Sequence, residues 1–147
     1  MVEPRGSYAG DVAPRDAWES LETDPAAALV DVRTSAEWSF VGVPDLSPAG
    51  KRVLLQEWQR FPSMQIDPGF AEAVAETLKS AGATEDTPVY FLCRSGARSQ
   101  AAAAALAALG WTRAYNVVGG FEGPLDGERR RGSVAGWKAD GLPWVQS

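Results

Sequence analysis

Short apolar runs alternate along this chain with segments of helical period. Tyr8 to Ala13 predicts a short edge strand, and Pro14 to Leu21 predicts a helix with Pro14 in its first turn and Trp18 and Leu21 on one face. Ala27-Ala28-Leu29-Val30-Asp31-Val32 is a compact apolar run that turns polar at Arg33-Thr34, as a buried parallel strand does at its end. Ser35 is placed to cap a short helix through Glu37 and Trp38. Gly42 to Gly50 reads as loop, Lys51 to Leu55 as strand, and Gln56 to Pro68 as an aperiodic segment able to wall a site. Phe70, Val74, Leu78 and Ala81 recur at helical spacing before Gly82. Val89 to Leu92 is a strand that ends on Cys93, and the alanine-rich run from Gln100 to Leu109 is a helix stopped by Gly110. Ala114 to Val118 predicts a further strand, and Val134 to Asp140 a short terminal helix.

This alternation predicts an α/β fold of three layers: a central, mostly parallel sheet of about five strands with helices on both faces. Ligands bind such sheets beyond the carboxyl ends of the strands, where Arg33, Cys93 and Gly119 fall. The 147 residues suit a single domain spanning 1–147. No apolar run is long enough for a membrane span, and the first residues lack the apolar core of a secretory signal, so a cytoplasmic protein is expected. A formal charge of -5 argues against nucleic acid as a partner, and the run Glu128-Arg129-Arg130-Arg131 reads as a solvated turn.

One cysteine and no histidine narrow the chemistry. No intramolecular disulfide, cysteine/histidine zinc site or Cys-His pair can form, and neither metal nor cofactor is expected. Cys93 is followed within six residues by Arg94, Ser95, Gly96, Arg98 and Ser99, with Ala97 between, an expensive surrounding for an inert core thiol. Gly96 permits a tight turn, the serines offer hydroxyls, and the arginines offer positive charge to an anion. Loop N–H groups and the dipole of the next helix favour a thiolate, making Cys93 a candidate nucleophile. A phosphate ester or a sulfane-sulfur donor would both suit this loop. Cysteine phosphatases place an arginine six positions after the cysteine. Here that position is Ser99, and Arg98 comes one residue early, which favours a transferred sulfur atom.

Leu29-Val30-Asp31-Val32-Arg33 with Glu37-Trp38, the loop Cys93 to Ser99, and Tyr115-Asn116-Val117-Val118-Gly119-Gly120-Phe121 together make the chain resemble single-domain rhodaneses over nearly its whole length. The resemblance implies a thiosulfate sulfurtransferase of rhodanese-like fold. In it a Cys93 persulfide carries sulfur from a small anionic donor such as thiosulfate to cyanide, a thiol or a protein acceptor. It makes Cys93 catalytic and Arg94, Ser95, Gly96, Ala97, Arg98 and Ser99 substrate-binding. Asp31, Arg33 and Glu37 become one bracing network, with Gly119 and Gly120 supporting the loop. Arg94 directly after the cysteine leans toward thiosulfate as donor.

Three departures stand out: Gly42-Val43-Pro44 lacks the family's histidine, the segment from Asp45 to Asp67 is long, and Phe121-Glu122-Gly123 replaces the tryptophan often found after the double glycine. The alternatives are a rhodanese-like binding or redox-sensing module, or a phosphatase or arsenate reductase on the same fold.

Overall fold

The computed structural model describes residues 8–60 and 63–146. Its centre is a five-stranded sheet of β1 (Gly10–Val12), β2 (Ala28–Asp31), β4 (Leu54–Leu55), β7 (Val89–Leu92) and β8 (Ala114–Val117). The spatial order is β1-β8-β7-β2-β4, with every neighbouring pair parallel. Two small antiparallel pairs flank it: β3 (Val43–Pro44) with β9 (Trp144–Val145), and the hairpin of β5 (Gln59–Arg60) and β6 (Gln65–Ile66). The expected α/β sheet with helices on both faces is therefore present.

The two faces follow from the alternation of strand side chains. Val30, Val89 and Phe91 point to one side, where α3 (Phe70–Ser80) and α4 (Ala97–Ala107) cover them with Val74, Leu78 and Leu106. Leu29, Tyr90 and Leu92 point to the other, against Ala17 and Leu21 of α1 (Pro14–Thr23) and against Phe121, Trp137 and Leu142. The alanines of α4 allow it to sit close on the sheet: Ala102 and Ala103 are fully buried. Among the described residues, no helix is long and apolar enough to cross a membrane.

Four local expectations change. Thr34, rather than Ser35, caps α2 (Ser35–Val41): its hydroxyl accepts from the Glu37 N–H while the Glu37 carboxylate accepts from the Thr34 N–H, a reciprocal capping box. The strand expected over 51–55 shortens to Leu54–Leu55, and the 42–50 loop contains β3 and a 3₁₀ turn at Ser47–Ala49.

The helix expected over 134–140 does not form. Gly136, at φ +105°, crosses the Gly119–Gly123 turn so closely that an added Cβ would stand 2.8 Å from the Gly120 carbonyl oxygen and 3.1 Å from the Gly123 nitrogen. Such backbone-to-backbone contact leaves no room for helical side chains. Instead, the Trp137 and Lys138 N–H groups donate to the carbonyls of Gly120 and Phe121. Trp137 is fully buried, edge-on to Trp18, with its Nε1 donating to the Pro143 carbonyl at 2.7 Å. The terminal segment thus holds the Gly119-Gly120 turn from below.

Candidate active site

The carboxyl ends of β2, β7 and β8 meet at Cys93. Strand β7 delivers the cysteine, and Gly96, at φ +121°, turns the chain into α4. An L side chain rarely adopts that backbone angle, which accounts for glycine at the turn. The first N–H groups of α4 have no partner within the helix, so its N-terminus favours an anion beside the loop. The Gly96 N–H donates to Cys93 Sγ at 3.0 Å. Cys93 is 1% exposed, its sulfur seated within the loop.

The second glycine motif supports this loop from outside. Gly120 takes φ +61°, and a Cβ there would fall on the Cys93 carbonyl oxygen and 2.6 Å from the carbonyl carbon of Arg94. That approach lets the Phe121 N–H donate to the Cys93 carbonyl at 2.7 Å. The Glu122 and Gly123 N–H groups donate to the Arg94 carbonyl at 3.0 and 3.1 Å. The Cys93 and Arg94 carbonyls are thereby satisfied. Gly119 rests on Gly136, where a Cβ would stand 3.1 Å from the Gly136 nitrogen.

The acidic and basic residues form two separate pairs rather than one Asp31/Arg33/Glu37 network. Arg33 folds back onto Asp31, its Nε and Nη2 reaching the carboxylate at 2.9 and 2.6 Å, both side chains 0% exposed. Its Nη2 also donates to the Gly42 carbonyl at 2.7 Å, and its guanidinium lies 4.3 Å from the centroid of Phe121. Arg33 therefore ties the end of β2 to the end of α2 and to the Gly120 turn, with no surface for a substrate.

Glu37, drawn onto the α2 N-terminus by the capping box, faces α4 instead. Arg98 grips it through Nη1 and Nη2 at 2.8 and 2.9 Å. Burial pushes the Glu37 carboxyl up, but the hydrogen bonds from Arg98 and Thr34 and the Arg98 charge outweigh it and hold the group at about 2.

Above the loop lies a cavity of about 640 Å³ lined by Thr34, Glu37, Gln59, Met64, Arg94, Arg98, Glu122 and Arg131, among others. Arg94 and Arg98 thus reach open space, whereas Ser95 and Ala97 are exposed on the loop's rim. Ser99 does not reach the cavity. It is fully buried under the sulfur, its Oγ 3.2 Å from Cys93 Sγ. The long segment contributes a wall: Gln59 and Met64 sit on the β5–β6 hairpin, which Trp58 anchors edge-on to Phe70 at 5.1 Å. Arg131 comes from the charged run expected to be a solvated turn, and its Nη1 donates to the Gly123 carbonyl at 2.7 Å.

Asn116 belongs to the site although no motif singled it out. It is 2% exposed, its Oδ1 2.5 Å from Ser99 Oγ and its Nδ2 donating to Asp11 at 3.0 Å. The available signal was an asparagine inside a buried strand, where that residue is depleted. Among the described residues no cluster of histidine, cysteine, aspartate and glutamate is arranged to hold a metal ion. The arrangement can hold a sulfur anion on the Gly96 N–H beside the α4 N-terminus, beneath an opening that carries Arg94, Arg98 and Arg131.

Comparison with known proteins gives a consistent picture. A family model described as the STR4 middle domain matches residues 9–147. The chain is 36% identical over 128 residues to protein RP600 of Rickettsia prowazekii, covering 87% of this chain and 90% of that one. It is 28% identical over 132 residues to the chloroplastic rhodanese-like domain-containing protein 4 of Arabidopsis thaliana, covering 90% of this chain and 25% of the plant protein. The crystal structure of Rv0390 from M. tuberculosis superimposes with a TM-score of 0.82 at 48% identity, over 96% of this chain and 100% of that one. The polysulfide-sulfur transferase homodimer of Wolinella succinogenes matches with a TM-score of 0.55 at 21% identity, over 93% and 78%, a likeness of fold alone.

Proposed function

Because the chain belongs to the STR4 middle domain family and carries a rhodanese-like fold, we propose that it is a sulfurtransferase working through a persulfide on Cys93. The observation that carries this reading is the Cys93 sulfur held by the Gly96 N–H at 3.0 Å inside a loop that opens a helix. The Cys93 thiolate attacks the outer sulfur of thiosulfate or a similar sulfane donor. A new S–S bond forms, the donor's S–S bond breaks, and its electron pair leaves on sulfite. The charge now sits on the outer persulfide sulfur, where the loop's N–H groups favour it. Cyanide, a thiolate or a protein thiol then attacks that sulfur, and Cys93 thiolate returns. No general acid or base is required, which suits a chain without histidine.

Arg94 and Arg131, at the cavity wall, draw in the anionic donor. Arg98 stands five residues after Cys93, one fewer than in the cysteine-phosphatase loop, which weighs against phosphatase chemistry. A cytoplasmic setting, which keeps a lone thiol reduced, suits this activity.

The reading is tested by following thiocyanate formation from thiosulfate and cyanide. Turnover that disappears in Cys93→Ser is expected. A folded protein without turnover from any sulfane donor would overturn the proposal in favour of a binding module, and Cys93-dependent hydrolysis of an aryl phosphate would move it to phosphoryl chemistry.

A further inference from the structure

Ser99 has one hydroxyl proton and three neighbours able to accept it: Asn116 Oδ1 at 2.5 Å, the Gly96 carbonyl at 3.1 Å and Cys93 Sγ at 3.2 Å. Which of them receives it is decided outside the loop. Asp11 and Asn116 are register partners on β1 and β8, and parallel register sets them side by side. The Asp11 carboxylate only accepts, so it draws the Asn116 NH2 toward itself, at 3.0 Å, and leaves Oδ1 facing Ser99. Tyr8 donates to the same Asp11 oxygen at 2.7 Å. The amide is thereby fixed in the orientation that demands the serine's proton, at the shortest of the three distances.

We propose that Asp11 and Asn116 are positioning residues that hold the Ser99 proton away from the Cys93 sulfur and so bias the site toward the persulfide over the bare thiolate. The inference rests on the reading of Cys93 as the sulfur carrier. In the thiol, Cys93 S–H has the Ser99 oxygen as acceptor while Ser99 donates to Asn116, and every group is satisfied. When the thiol loses its proton to solvent, Ser99 must either face the sulfur with a lone pair or swing its proton to it. The swing strands Asn116 Oδ1, buried, without a donor. In the persulfide, the Cys93 sulfur is bonded to a second sulfur and neutral, the charge has moved outward, and Ser99 keeps its bond to Asn116 at no cost. A thiolate held less tightly is also the stronger nucleophile.

The charged groups around the thiol are otherwise paired or distant from this choice. Asp31 is matched by Arg33 and Glu37 by Arg98, Arg94 points to the cavity, and among the described residues Asp11 is the one charge whose contact reaches Ser99 through a single side chain.

The test is the pH dependence of Cys93 alkylation by iodoacetamide, a neutral probe that needs no sulfur transfer and finds a single cysteine in the chain. It therefore stands or falls separately from the activity. Asp11→Ala frees the Asn116 amide to turn, lets Ser99 donate to the sulfur, and is expected to move the alkylation midpoint down by about one pH unit, a tenfold change in thiolate fraction at a given pH. In a Ser99→Ala background the same substitution is expected to have no such effect. An unchanged midpoint in Asp11→Ala, or an equal shift with and without Ser99, would overturn the proposal, the second outcome assigning the effect to the Asp11 charge alone. If Ser99→Ala does not fold, Asp11→Asn decides. Its amide oxygen still accepts from Asn116, so the parent midpoint supports the proposal and the Asp11→Ala midpoint contradicts it.

Discussion

Two arginines, Arg33 and Arg98, meet their carboxylates in opposite settings. Arg33 and Asp31 are wholly buried, tied to the Gly42 carbonyl and packed on Phe121. Arg98 and Glu37 keep 18% and 20% of their side-chain surface at the cavity wall. The first pair is embedded in the core, where losing one partner strands a charge that water cannot reach. The second sits where water can replace either partner, and where a ligand can compete for the guanidinium. Burial, not charge, separates a brace from a contact that can respond to substrate.

The sharpest way to break this contrast is Arg33→Ala. It leaves Asp31 buried and unpaired and should cost about 3–5 kcal/mol of stability, read as a lower midpoint in urea unfolding. Arg98→Ala should cost only about 1 kcal/mol by the same measure. Its main effect should be on sulfur transfer, a fall in kcat/KM of about tenfold, equivalent to ~1.4 kcal/mol of transition-state stabilisation. If both substitutions destabilise equally, the distinction is wrong.

Acid sharpens it further. The Glu37 carboxyl is lowered from 4.5 to about 2, so its contribution to stability is fully present above about pH 4.5 and is lost as pH falls toward 2. Urea midpoints measured across that window should decline in the parent protein and decline less steeply in Arg98→Ala. The smallest effect belongs to Arg94, which lines the cavity without an ion-pair partner among the described residues. Arg94→Ala should raise the KM for thiosulfate several-fold while leaving kcat and the urea midpoint near the parent values.

The strand, the loop and the helix around Cys93 were legible because their signals are local: an apolar run, a glycine where φ is positive, and an alanine tract. The parallel sheet followed from alternation alone. What escaped notice depends on pairing between distant segments. Asn116 acquires its role only through the register that sets Asp11 beside it, 105 residues away in sequence. The division of Asp31, Arg33, Glu37 and Arg98 into two pairs depends on the Thr34 capping box, which turns Glu37 toward α4. The 134–140 segment carries helical spacing, yet Gly136 must lie against the Gly119–Gly123 turn, and that tertiary contact overrides local propensity. Arg131 sits in a charged run whose composition says nothing of the cavity it enters.

Whether Cys93 carries sulfur is decided by weighing the intact protein after incubation with thiosulfate. A gain of one sulfur atom is expected, which cyanide removes and Cys93→Ser does not acquire. A protein that takes up no sulfur from thiosulfate or any other sulfane donor, or an adduct that persists in Cys93→Ser, would contradict it.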